Sequence, residues 1–124
     1  MKITVQETNE PKKIPNDSEL GFGKYFSDHM LVMDYDEGEG WHDARIVPFG
    51  YISLHPASTV LHYGAEIFEG LKAYRTPNGE IQLFRPDQNI DRMNRTNERL
   101  CIPQLNKEDV LDAIKDIVKV EEDW

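Results

Sequence analysis

The sequence predicts an α+β fold: a small antiparallel or mixed sheet with a hairpin and flanking helices. Three observations carry this. Two apolar runs in the first half, Met30–Tyr35 and Ala44–Pro56, are each bounded by turn residues. A Thr-Pro-Asn-Gly stretch at 76–79 stands between two further short runs. The last third switches from extended patterning to helical spacing. Strands followed by helices, without strict alternation, read as one layer of sheet packed on helix.

Residues 1–17 are polar, with Pro11 and Pro15 around two lysines. They read as a flexible N-terminal arm with little core content, leaving 18–124 as the domain. Met30–Tyr35 suits a strand, Glu37–Gly40 a turn, and the stretch after it a second strand. Pro48 argues that this second strand is an edge or bends there. The two make an antiparallel pair. Ala57–Thr59 lead into a short helical window, Tyr63–Glu69, with Gly70 at its C-terminal end.

Leu71–Arg75 and Glu80–Arg85 flank the 76–79 turn. Proline suits the first central position, asparagine the second, and glycine the left-handed position that closes a bulged hairpin. In that register Leu71, Ala73, Ile81 and Leu83 share one face, and Lys72, Tyr74, Gln82 and Phe84 the other. Pro86 opens a helix with Ile90, Met93, Leu100 and Cys101 at helical spacing, ended by Pro103. Asn106 caps a final helix whose apolar face is Leu111, Ile114, Ile117 and Val118. A tryptophan directly after a helix, at position 124, reads as a point where a longer chain was cut.

Composition excludes several functions. At 124 residues and 39% hydrophobic content the chain holds one ordinary core. Its net charge of −9 repels phosphate backbones and anionic lipid, so neither nucleic acid nor membrane is an expected partner. With one cysteine no intramolecular disulfide forms, and the absence of a secretory pattern points to the cytoplasm. The four histidines lack metal-site spacing, so no metal is expected. Cys101, on the apolar side of its helix, reads as a buried thiol.

Two features invite a chemical reading. Arg92, Arg95 and Arg99 form a basic row at i, i+3 and i+7. Such a row is either a solvated face or an anion site, since a guanidinium holds phosphate bidentately. Lys72 lies in VLHYGAEIFEGLKAYR, in aromatic surroundings. A Schiff-base lysine needs burial or a cationic neighbour so that its neutral amine attacks. The sequence supplies neither, and Lys72 reads as a strand residue on the solvated face.

The runs SLHPASTVLHYGAEIFEGLKAYR and IQLFRPDQNIDRMNRTNERLCIP, with FGKYFSDHM upstream, resemble the N-terminal part of branched-chain amino acid aminotransferases. These are fold-type IV enzymes that use pyridoxal 5′-phosphate. The resemblance covers about Gly21 to Trp124 and implies the N-terminal small domain of such an enzyme. It implies a homodimer acting in branched-chain amino acid metabolism, with branched-chain amino acids and 2-oxo acids as substrates. By the same resemblance Arg92, in NIDRM, holds the cofactor phosphate, while Arg95 and Arg99 keep the solvated reading. Phe22 in FGK, Tyr63 in LHYG and Phe68 in FEG line the substrate pocket. The family's Schiff-base lysine lies downstream of residue 124, so this chain carries no catalytic residue and is expected to be inactive alone. The alternatives are another fold-type IV enzyme, such as a D-amino acid aminotransferase or an aminodeoxychorismate lyase, and a non-enzymatic oligomerisation or binding module.

Overall fold

The computed structural model describes all residues from Met1 to Trp124. It is α+β, and the chain packs as two compact units: residues 1–51 with 113–124, and residues 52–112.

In the first unit β1 (Thr4–Val5), β2 (His29–Asp36) and β3 (Gly40–Pro48) form a three-stranded mixed sheet in the order β1-β3-β2. The expected antiparallel pair is β2 with β3, with Leu31 opposite Ile46. The reading of β3 as an edge strand is corrected: β1 pairs in parallel along Arg45 and Ile46, which makes β3 central. Pro48 is tolerated because it is the last residue of the strand, opposite His29, beyond the residues that pair with β1. Between Val32 and Asp34 the register shifts, and Asp43 takes φ +49° on the facing strand. An extra residue on β3 produces this bulge, and aspartate is among the residues that tolerate the left-handed conformation. Alternation along β3 buries Ala44 and Ile46, and Ala113 is buried in the same unit.

The arm contributes β1 and further ties within this unit. Lys12 N–H donates to Asp28 Oδ1 at 2.9 Å, and its Nζ donates to the Ser27 carbonyl at 2.7 Å. His29 is held on both ring nitrogens. Thr8 N–H donates to Nε2 at 2.9 Å, and Nδ1 hydrogen-bonds Glu121. Trp124 is half-buried, and its indole N–H donates to Asp28 Oδ2 at 3.2 Å.

In the second unit the helical window Tyr63–Glu69 is corrected. The short helix α1 lies upstream, at Thr59–His62, and residues 64–72 are irregular. Tyr63 closes it, and Gly64 at φ +60° turns the chain away. The single turn is therefore stopped well before the glycine at 70. The hairpin β4 (Ala73–Arg75) and β5 (Ile81–Leu83) pairs in the expected register, Ala73 with Leu83 and Tyr74 with Gln82. Gly79 stands at φ +84°, and its N–H donates to the Thr76 carbonyl at 2.9 Å.

Helix α2 (Pro86–Leu100) starts with Pro86 in its first turn and buries Ile90 and Asn97. It ends in a Schellman motif: Cys101 N–H reaches the Glu98 carbonyl, and Ile102 N–H reaches the Asn97 carbonyl at 2.9 Å. Cys101 sits at the left-handed position, φ +56°, and is exposed. This corrects the expected buried thiol, because the cap takes Cys101 off the helical face that the spacing assigned to it. Asn94 then clamps the connection to the next helix by bonding both the N–H and the carbonyl of Leu105. Helix α3 (Lys107–Val120) is capped as expected, with Asn106 Oδ1 accepting from Asp109 N–H at 3.1 Å. No helix is long and apolar enough to cross a membrane.

Candidate functional site

The feature with most chemical content lies in the second unit. Asn89 and Arg92 are i and i+3 on α2, so both side chains leave one face of the helix. Both reach Glu69, which stands in the irregular run after α1. Arg92 Nε donates to Glu69 Oε2 at 2.8 Å, and Arg92 Nη2 donates to Oε1, a bidentate pair. Asn89 Nδ2 donates to Glu69 Oε1 at 3.0 Å and to the Gly70 carbonyl at 2.9 Å. Gly70 N–H donates to Oε1 at 2.9 Å. The Glu69 side chain is 13% exposed, whereas that of Arg92 is 61% exposed.

These donors set the charge of the site. The Arg92 guanidinium above all, then Gly70 N–H and Asn89, hold the Glu69 carboxyl down from its ordinary 4.5 to about 2 against the opposing effect of burial. Arg92 is raised in turn by Glu69. At neutral pH the pair is fully ionised. A concavity of about 410 Å³ adjoins it, lined by Glu66, Ile67, Phe68, Glu69, Arg92 and Thr96.

Arg92 and Phe68, both expected at a site from the sequence, are brought together on this concavity. Phe68 is 95% exposed, so its ring makes little contact within the chain. Tyr63 belongs to the same unit and is 87% exposed at the end of α1, without lining the concavity. Phe22 belongs to the first unit, in a turn beside Gly23, and is fully exposed. Arg95 and Arg99 are exposed on α2. Lys72 is exposed immediately before β4.

Glu69 was not legible as a site residue in the sequence, although it is the glutamate of the FEG motif that contains Phe68. Its partner lies 23 residues away on another element, and no helical or strand period links the two. A second cluster was equally hidden. Asp36, Glu39 and His42, around the β2–β3 turn, place their donor atoms within 4.8 Å of one another. His42 Nε2 and Asp36 Oδ2 are 2.9 Å apart, and this hydrogen bond raises the imidazole above its ordinary value. The ion pair accounts for the cluster on its own.

The arginine site has one accessible cation, flanked by an apolar ring and by two carboxylates. One guanidinium edge suits a single contact to a phosphate. Glu66 and Glu69 oppose an anion, so Arg92 alone makes a weak site. The donor set fits part of a phosphate cradle.

No family model matches the chain. Among curated proteins it is 56% identical over 122 residues to branched-chain-amino-acid transaminase 1 of Bacillus subtilis (strain 168), covering 98% of the chain and 34% of that protein. It is 46% identical over 124 residues to branched-chain-amino-acid aminotransferase 2 of the same strain, covering all of the chain and 34% of that protein. It is 46% identical over 123 residues to the mitochondrial branched-chain-amino-acid aminotransferase of Rattus norvegicus, covering 98% of the chain and 31% of that protein. The chain spans about a third of the length of the curated relatives it matches.

Proposed function

We propose, from the premise that this chain belongs to the branched-chain-amino-acid aminotransferase family over the third of those proteins that it spans, that it forms the small N-terminal domain of such an enzyme. Residues 18–124 make the domain, and the arm of residues 1–17 packs with it by adding β1 to its sheet. The complete protein moves an amino group between leucine, isoleucine or valine and 2-oxoglutarate, as a cytoplasmic homodimer. The observation that carries this reading is the identity of 46–56% sustained over essentially the whole chain.

Pyridoxal 5′-phosphate, when bound, supplies the electron sink for the reaction. This chain's part is to bind and to shape. Arg92 offers its guanidinium to the cofactor phosphate, and the remaining donors that a phosphate dianion needs come from the rest of the protein. Within the second unit, Tyr63 and Phe68 offer aromatic walls to the substrate side chain; Phe22, in the first unit, is a substrate-facing aromatic by the family resemblance alone. Their exposure supports the reading, because aromatic rings that make little contact within the chain remain free to meet an aliphatic ligand. Branched-chain side chains present only apolar area, so selection among substrates rests on such walls.

Two measurements on the complete protein test these roles. Arg92→Ala should weaken cofactor binding by about 1.5–3 kcal/mol, the scale of a hydrogen bond to a charged group. Unchanged affinity in a titration of apoenzyme would remove Arg92 from the site. Phe68→Ala should cost leucine more than alanine in kcat/KM, by about 1–3 kcal/mol. An unchanged leucine-to-alanine ratio would leave Phe68 as packing only.

A further inference from the structure

The structure assigns Glu69 a role as the positioning residue of Arg92: it fixes one edge of the guanidinium and leaves the other for a phosphate. The inference rests on the reading of Arg92 proposed above. A guanidinium offers two edges with paired donors, Nε with Nη2 and Nη1 with Nη2. Glu69 occupies the first edge with both carboxylate oxygens, and Nη1 makes no hydrogen bond within the chain. The Nη1 edge is therefore the one available to an anion.

The carboxylate is an anchored partner. Gly70 N–H and Asn89 Nδ2 hold it independently of Arg92, and its side chain is nearly buried. An arginine as exposed as Arg92 would otherwise sample many rotamers and lose their entropy on binding. The same network ties residues 69–70, next in sequence to Phe68, to α2 through Asn89. One carboxylate thus sets both the cation and the backbone beside the aromatic wall. The opposite role, a competitor that the phosphate must evict, would require Glu69 to give up the Arg92, Gly70 and Asn89 donors together. It predicts the opposite sign on removing the charge.

The test compares pyridoxal 5′-phosphate with pyridoxal, which lacks the phosphate, as ligands for the complete apoprotein. Affinities are read from ligand absorbance for wild type, Glu69→Gln, Glu69→Asp, Arg92→Ala and the double variant Arg92→Ala/Glu69→Gln. Glu69→Gln should weaken the phosphorylated ligand by about tenfold, the scale on which partners that orient a binding group act, and leave pyridoxal unchanged. Glu69→Asp, which keeps the charge but shortens the reach, should fall between wild type and Glu69→Gln. The double variant should bind no more weakly than Arg92→Ala. If Arg92→Ala preserves the preference for the phosphorylated ligand, the reading of Arg92 itself fails. If Arg92→Ala removes that preference while both Glu69 variants keep it, the positioning role alone is overturned. Tighter phosphate binding by Glu69→Gln would make Glu69 a competitor. Equal losses for both ligands in both Glu69 variants would make its role purely structural. Either result overturns the inference.

Discussion

Removing Arg92 should release Glu69 toward ordinary carboxylate behaviour, and the size of the effect follows from the geometry. In the folded chain Glu69 titrates at about 2, against an ordinary 4.5, with the Arg92 hydrogen bonds as the first cause. A gap of about 2.5 at ~1.36 kcal/mol per pH unit sets a ceiling of about 3.4 kcal/mol on the differential stabilisation. The Arg92 side chain is 61% exposed, so water and salt screen its share and the net figure drops to about 1–2 kcal/mol. The folded value lies below the unfolded one. The contribution is therefore complete above about pH 4.5 and is lost as pH falls toward 2. A carbon-detected NMR titration of the Glu69 carboxyl, with denaturant unfolding at pH 7 and pH 3, measures both quantities. Arg92→Ala should raise the Glu69 midpoint only part of the way, since Gly70 N–H and Asn89 still donate. It should also reduce the stability lost between the two pH values. A wild-type midpoint near 4.5, or a midpoint unmoved by Arg92→Ala, would refute the ion pair as the organising interaction.

Two further outcomes are expected. Cys101→Gly should stabilise the fold by about 1 kcal/mol in thermal or denaturant unfolding, because an L side chain at the left-handed cap is strained and glycine is not; a loss of stability would mean that the exposed thiol makes an uncounted favourable contact. Brief treatment of the 124-residue chain with pyridoxal 5′-phosphate, followed by borohydride trapping, should label lysines broadly, Lys12, Lys13, Lys24 and Lys107 among them. Fast stoichiometric labelling of Lys72 alone would show that this exposed residue is a reactive amine after all.

Much of the local structure was legible in the sequence because it is decided locally. Pro77, Asn78 and Gly79 dictate their own turn, and the register of β4 and β5 follows from it. Pro86 and Asn106 mark helix starts through backbone hydrogen bonding that any chain with those residues obeys. The family resemblance is legible too, and it is that resemblance in NIDRM, not the spacing of the arginine row, that points to Arg92. Other features needed the tertiary arrangement. Whether β3 is an edge or a centre depends on Thr4 and Val5, which lie far from it in sequence. The end of α2 depends on a Schellman cap that places cysteine where glycine is usual, against its conformational preference. The partner of Arg92 depends on an irregular segment that carries Glu69 back to α2, 23 residues from its contact. Periodicity reports which face of an element is apolar, since that repeats along the chain. A single ion pair between two elements has no period, so only the packed chain selects it.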